Sequence, residues 1–188
     1  MSIKGRIVPY FITKIINMEI VNMTVLFDLN NKIDLWKLVE VLPDAIYNPH
    51  TFSGAKIREL QPNYSALVFC SGKVVITGTT SMAKANAAAS HLVGMLEDDF
   101  DVSFGTLIVK NLVASFHHGR RVDLVEFYNK HKKESSYEIE LFPALFYKPK
   151  HIKGTITIFS TGRINLTGVR TFEDLLDLEA FIRAELLK

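Results

Sequence analysis

The chain contains itself twice. The run Leu67-Val68-Phe69-Cys70-Ser71-Gly72-Lys73-Val74-Val75-Ile76-Thr77-Gly78 returns as Thr157-Ile158-Phe159-Ser160-Thr161-Gly162-Arg163-Ile164-Asn165-Leu166-Thr167-Gly168, an offset of 90 residues. The same offset takes Tyr47-Asn48-Pro49-His50-Thr51-Phe52 to Tyr137-Glu138-Ile139-Glu140-Leu141-Phe142, and an offset of 89 takes Asn22 to Asn111 and Asp34-Leu35 to Asp123-Leu124. Separated blocks at nearly one offset predict two structurally related halves and hence pseudo-two-fold symmetry. The expected division is a short N-terminal segment, 1–17, a first repeat, 18–102, and a second, 103–188.

Each half opens on a β-branched, apolar stretch, Ile20 to Asp28 or Thr106 to Phe116, which predicts a strand. A short helix follows, starting near Asn31 or Asp34 in the first half and carrying Val122, Leu124, Val125 and Phe127 in the second. Ser71-Gly72 and Thr161-Gly162 join alternating runs at hairpin spacing. Each half then ends in a longer helix, Ser81 to Glu97 and Phe172 to Leu187. Strands followed by a helix, twice, predict an α+β fold with an antiparallel sheet and helices on one face.

Alternation divides the strands into two faces. Met23, Val25, Phe27, Val68, Val74 and Ile76, with Leu112, Ala114, Phe116, Ile158, Ile164 and Leu166, are uniformly apolar and suited to burial under the helices. The opposite class holds Asn22, Thr24, Leu67, Phe69, Lys73, Val75 and Thr77, and Asn111, Val113, Thr157, Phe159, Arg163, Asn165 and Thr167. A face mixing aromatics, amides, hydroxyls and one cation per half is a candidate binding surface.

Composition excludes several classes. With 48% hydrophobic and 22% charged residues over 188 positions, the chain is globular in character. Its apolar runs are too short to span a bilayer and no signal-peptide hydrophobic region is evident, so a soluble, intracellular protein without a membrane partner is expected. The single Cys70 forms no internal disulfide, and no Cys/His cluster has zinc spacing. His117 and His118 are adjacent, so on a strand they face opposite ways, and no nucleophile, base or metal constellation is present. Neither catalysis nor a cofactor is expected. A net charge of +2 is too small to identify a nucleic-acid binder by itself.

The strands around Asn22 and Asn111, Tyr47-Asn48-Pro49 with Phe52, the two hairpins, and Ser135-Ser136-Tyr137-Glu138-Ile139-Glu140-Leu141-Phe142-Pro143 together resemble the core of TATA-box-binding proteins over residues 18–188. The resemblance implies one curved antiparallel sheet, a saddle with helices on its convex face, that binds A·T-rich promoter DNA through the minor groove. It implies that Phe52 with Phe69, and Phe142 with Phe159, are wedges, each pair entering one base step, a device for which this family is the standard example. Asn22 and Asn111, flanked by Thr77 and Thr167, would face minor-groove acceptors near the pseudo-dyad, with Leu67, Val75, Val113 and Pro143 completing the groove contact. Lys73 and Arg163, with Arg58 and Lys148 on neighbouring strands, would contact phosphates.

Glu138, Glu140 and Leu141 match the acidic stirrup that in the family docks transcription factor IIB. The helix from Ser81 to Glu97 departs from the family in offering only Lys84 and His91 as basic residues, which argues against a factor IIA contact there. Thr24, Thr157 and Asn165 stand where familiar members are aliphatic, so part of the groove floor is more polar, and Ser53 follows Phe52 where Pro143 follows Phe142. The family implies a nuclear site of action, or a viral factory or virion for a viral source. The competing reading is a scaffold that keeps the fold and partner surfaces but binds DNA weakly or with altered specificity. Retention of all four phenylalanines disfavours it.

Overall fold

The computed structural model describes residues 18–187, so the expected N-terminal segment 1–17 lies outside the described residues. Chain order is β1 (Met18–Asp28), α1 (Leu35–Val41), β2 (Gly54–Leu60), β3 (Asn63–Phe69), β4 (Lys73–Thr79), α2 (Met82–Leu96), β5 (Ile108–His117), α3 (Leu124–Lys130), β6 (Ser135–Ser136), β7 (Ala144–Tyr147), β8 (Thr155–Phe159), β9 (Arg163–Val169) and α4 (Phe172–Glu185). The second opening strand starts at Ile108 and the last helix stops at Glu185, each two residues inside the stretch expected from the sequence. The α+β class and the antiparallel pairing are as the sequence predicts.

Two compact units emerge. The first comprises Val21–Leu112 with Val169–Phe172, and its strands follow the order β2-β3-β4-β1. The second comprises Val113–Gly168 and the chain from Glu173, with the start of β1 through Ile20, and runs β5-β9-β8-β7-β6.

Local chemistry sets the element boundaries. The Asp34 carboxylate accepts from the Trp36 and Lys37 N–H groups, and Asp123 accepts from Val125 and Glu126, so both short helices start on the same cap. Ser81 caps α2 through the Lys84 N–H. In both long hairpins the glycine has positive φ, 85° at Gly72 and 94° at Gly162. A Cβ there would lie 2.1 Å from the carbonyl oxygen of Asn31 or Arg120, respectively. Only glycine fits. Gly72→Ala is therefore expected to lower stability by roughly 2–3 kcal/mol, read as an earlier urea midpoint. Gly94→Ala, on the exposed side of α2 with nothing within 4 Å of the new methyl, should raise stability by about 0.5–1 kcal/mol.

The predicted apolar face is the buried one. Met23, Val25, Val68, Val74, Ile76 and Leu112 are fully buried in the first unit, as are Ala114, Ile158, Ile164 and Leu166 in the second. The helix stripes Ala85, Ala88, Ala89, Leu92, Leu96 and Leu175, Leu178, Ile182 supply the facing layer. The Tyr64 hydroxyl, whose pKa is raised by burial and then by Glu59, meets His91 Nδ1 at 3.0 Å. In the second unit Arg183 lies 4.1 Å over the Phe116 ring and pairs at 2.8 Å with the buried Glu179 carboxylate. With one sheet face closed in this way, the other is left for contact.

Candidate nucleic-acid interface

The open face of the first unit is built in register. Leu67 pairs across β3 and β4 with Val75, which pairs with Leu26 on β1, while Lys56 on β2 flanks Leu67 from the other side. One step along, Arg58, Ser65 and Thr77 form the next row. The second unit repeats the arrangement with Phe146, Thr157 and Asn165 in successive pairing, and Ala144 opposite Phe159.

At one end of each row stands a pair of phenylalanines. Phe52 is delivered by a turn in which the N–H groups of Thr51 and Phe52 both donate to the Asn48 carbonyl; in the second unit Leu141 and Phe142 donate likewise to Glu138. Phe52 meets Phe69 at 5.8 Å between centroids, and Phe142 meets Phe159 at 6.1 Å, both pairs at an interplanar angle of 62°. Gly54, opposite Phe69, makes room, because a Cβ there would approach both rings to 3.0–3.2 Å. None of the four rings is in the core, and Phe142 is 42% exposed. Edge-to-face pairing preorganises each couple, yet both rings keep a solvent-facing surface.

Asn22 is held by a defined network. Its Oδ1 accepts from the Gly78 N–H at 2.9 Å and from the Thr77 hydroxyl at 3.2 Å, and the Thr24 hydroxyl donates to Thr77 Oγ1 at 3.4 Å. A backbone N–H can only donate, so the oxygen is fixed inward and the amide NH₂ is left to donate outward. Asn111 and Thr167 are half-buried on β5 and β9, and Val113 lies on the same face as Asn111.

The cations fall around these rows. Lys73 and Arg163 are exposed at the starts of β4 and β9; Arg163 Nε donates to Ser115 Oγ at 3.2 Å. Arg58 Nη1 donates to Ser65 Oγ at 2.9 Å on the open face. Lys148 corrects the sequence reading: it is exposed but lies one residue beyond β7, its N–H donating to the Glu134 carbonyl. Pro149 follows and has no N–H to continue the ladder.

Two open-face residues escape sequence reasoning, Lys56 and Phe146. Lys56 Nζ lies 5.5 Å over the Phe52 ring, and at the repeat-equivalent position Phe146, 42% exposed, stacks on Phe142 at 5.3 Å and 21°. Extending the alternation to β2 and β7 from Gly54 and Ala144 is the signal that finds them. Pro143 is exposed beside Phe142. The turn before it exposes Glu138 and Glu140 together with Ile139 and Leu141, the last two 67% and 79% exposed. His117 Nδ1 accepts from the Gly119 N–H, and His118 Nε2 accepts from Arg120 Nε. Among the described residues no group of three His, Cys, Asp or Glu side chains is placed to hold a metal ion.

The family model described as transcription factor TFIID, or TATA-binding protein, matches residues 17–98 and again 106–188. TATA-box-binding protein 2 of Entamoeba histolytica is 34% identical over 158 residues, covering 84% of this chain and 74% of that protein. The TATA-box-binding protein of Thermococcus sibiricus is 34% identical over 167 residues, 85% of this chain and 86% of its own length. Among solved structures, the TBP of Methanococcus jannaschii superposes with a TM-score of 0.80 at 28% identity, covering 90% of this chain and 98% of that one.

Proposed function

The chain belongs to the TATA-binding protein family across both repeats, and from that premise we propose that it is a general transcription initiation factor that binds and kinks A·T-rich promoter DNA through the minor groove. The observation that carries this reading is the coincidence, on one open sheet face of each unit, of a partly exposed phenylalanine pair with amide and hydroxyl groups above a closed apolar layer.

A phenylalanine ring entering a base step replaces part of the lost stacking and has no polar atom to desolvate; unstacking costs a few kcal/mol per step, offset by the wider contact that a bent duplex offers. The outward amide NH₂ of Asn22 donates to adenine N3 and thymine O2, the acceptors that A·T and T·A pairs share in the minor groove. Against the aliphatic Leu67 and Val75 a guanine amino group finds no acceptor, which favours A·T. Lys73, Arg163, Arg58 and Lys148 neutralise phosphates and set affinity more than sequence.

The exposed turn with Glu138, Glu140 and Leu141 pairs carboxylates with apolar side chains, the chemistry suited to a transcription factor IIB-like partner. Helix α2 gives little for factor IIA, since Lys84 is bonded to Thr80 and His91 to Tyr64. The family points to action in the nucleus, or in a viral factory or virion for a viral source.

Fluorescence transfer between dyes at the ends of an A·T-rich duplex tests the proposal: binding should shorten the end-to-end distance, and a bound duplex that stays straight refutes the kinking. Lys73→Ala should weaken binding to all sequences alike and reduce the slope of log affinity against log salt by about one.

A further inference from the structure

The two open faces have the same architecture and opposite chemistry. In the first unit the row across β1, β4 and β3 is Leu26, Val75, Leu67, with the cation Lys56 at its β2 end. The repeat-equivalent residues in the second unit are Ser115, Asn165 and Thr157, with the ring of Phe146 at the end. Three aliphatic positions have become polar together, and the terminal cation has become apolar. Ser115 and Thr157 are nearly buried, at 7% and 8% exposure, and the Ser115 hydroxyl is engaged by Arg163. Asn165 between them is half-buried, and among the described residues no hydrogen bond engages its side chain. One exchange runs the other way, Thr24 against Val113, but the Thr24 hydroxyl is committed to the chain through Thr77 to Asn22.

A minor-groove floor reads one chemical difference, the guanine 2-amino donor present in G·C and absent in A·T pairs. An aliphatic floor leaves that donor desolvated and unpaired, whereas an amide oxygen accepts from it. We infer that Asn165 reads a guanine amino group, so that the part of the duplex lying on the second unit accepts a G·C pair where the part lying on the first demands A·T. The inference rests on the minor-groove reading above and adds to it a composite element, A·T at one end and G·C-tolerant at the other, which gives the bound protein a direction on DNA. Phe146 acts in the same sense, since it adds a third ring beside Phe142 and Phe159 on the second unit alone.

The test is a set of duplexes in which one G·C pair is moved step by step through an A·T site, with affinity measured by anisotropy at fixed salt. For the wild type, positions in one half should cost at least about five-fold and a position in the other under two-fold. Asn165→Val should restore the penalty at the tolerated position, each affinity being taken relative to the same variant's all-A·T duplex, and Val75→Asn should create tolerance in the opposite half. Replacing the guanine by inosine, which lacks the amino group, should erase the difference between Asn165→Val and wild type. Equal penalties in both halves, or a tolerated position indifferent to Asn165→Val, overturn the inference and leave minor-groove binding standing. Failure of the wild type to bind the all-A·T duplex overturns both.

Discussion

An A·T duplex bound by the Phe69→Ala, Phe159→Ala double variant is expected to lie nearly straight and to be held at least 100-fold more weakly than by the wild type. Base–aromatic stacking contributes roughly 1–3 kcal/mol per base, and the variant loses one ring at each end while Phe52 and Phe142 lose the edge-to-face partners that orient them. Part of the loss is returned, because DNA that is not kinked does not incur the unstacking cost. The fold should survive: both rings sit half-exposed on the open face, unlike Phe27, which is 2% exposed in the core. Circular dichroism and urea unfolding would therefore match the wild type, while the fluorescence-transfer change on binding disappears. A double variant that bends DNA like the wild type would remove the wedge role.

Asn22→Asp is expected to weaken binding about 100-fold or more with little loss of stability. The inward oxygen remains, so the Gly78 N–H and the Thr77 hydroxyl keep their acceptor. What changes is the outward group: two donors become a carboxylate oxygen facing adenine N3 and thymine O2, all acceptors. Leaving buried acceptors unpaired costs about 1–3 kcal/mol each, and more when a charge is involved. Asn22→Ala should lose less affinity but more stability, because it orphans the Gly78 N–H. Equal affinities for Asn22→Asp and the wild type would mean that the amide does not face DNA.

The parts of this structure legible in the sequence are those set by local rules. Gly72 and Gly162 mark turns that only glycine fits, Asp34, Asp123 and Ser81 mark helix starts, and alternation along β3 and as far as Thr77 in β4 and Thr167 in β9 separates the closed face from the open one. The repeat carries each of these from one half to the other. What escapes the sequence is set by pairing over distance. Nothing near Asn22 signals that its oxygen is bonded to Gly78, 56 residues away. Lys148 reads as a strand residue until Pro149 is seen to end the ladder. β7 is only four residues long, and Phe146 emerges as an open-face ring only when the alternation is counted from Ala144. Ser115 hides in the run Leu112-Val113-Ala114-Ser115-Phe116, where small residues blur the two faces.

The minor-groove claim is tested most directly by replacing every A·T pair of a bound duplex with inosine·cytosine. That pair keeps the minor-groove acceptors and lacks the guanine amino group, while its major groove resembles G·C. Affinity within about three-fold of the A·T duplex, with the same bending, is the expected result. A loss as large as that caused by full G·C replacement would contradict recognition through the minor groove.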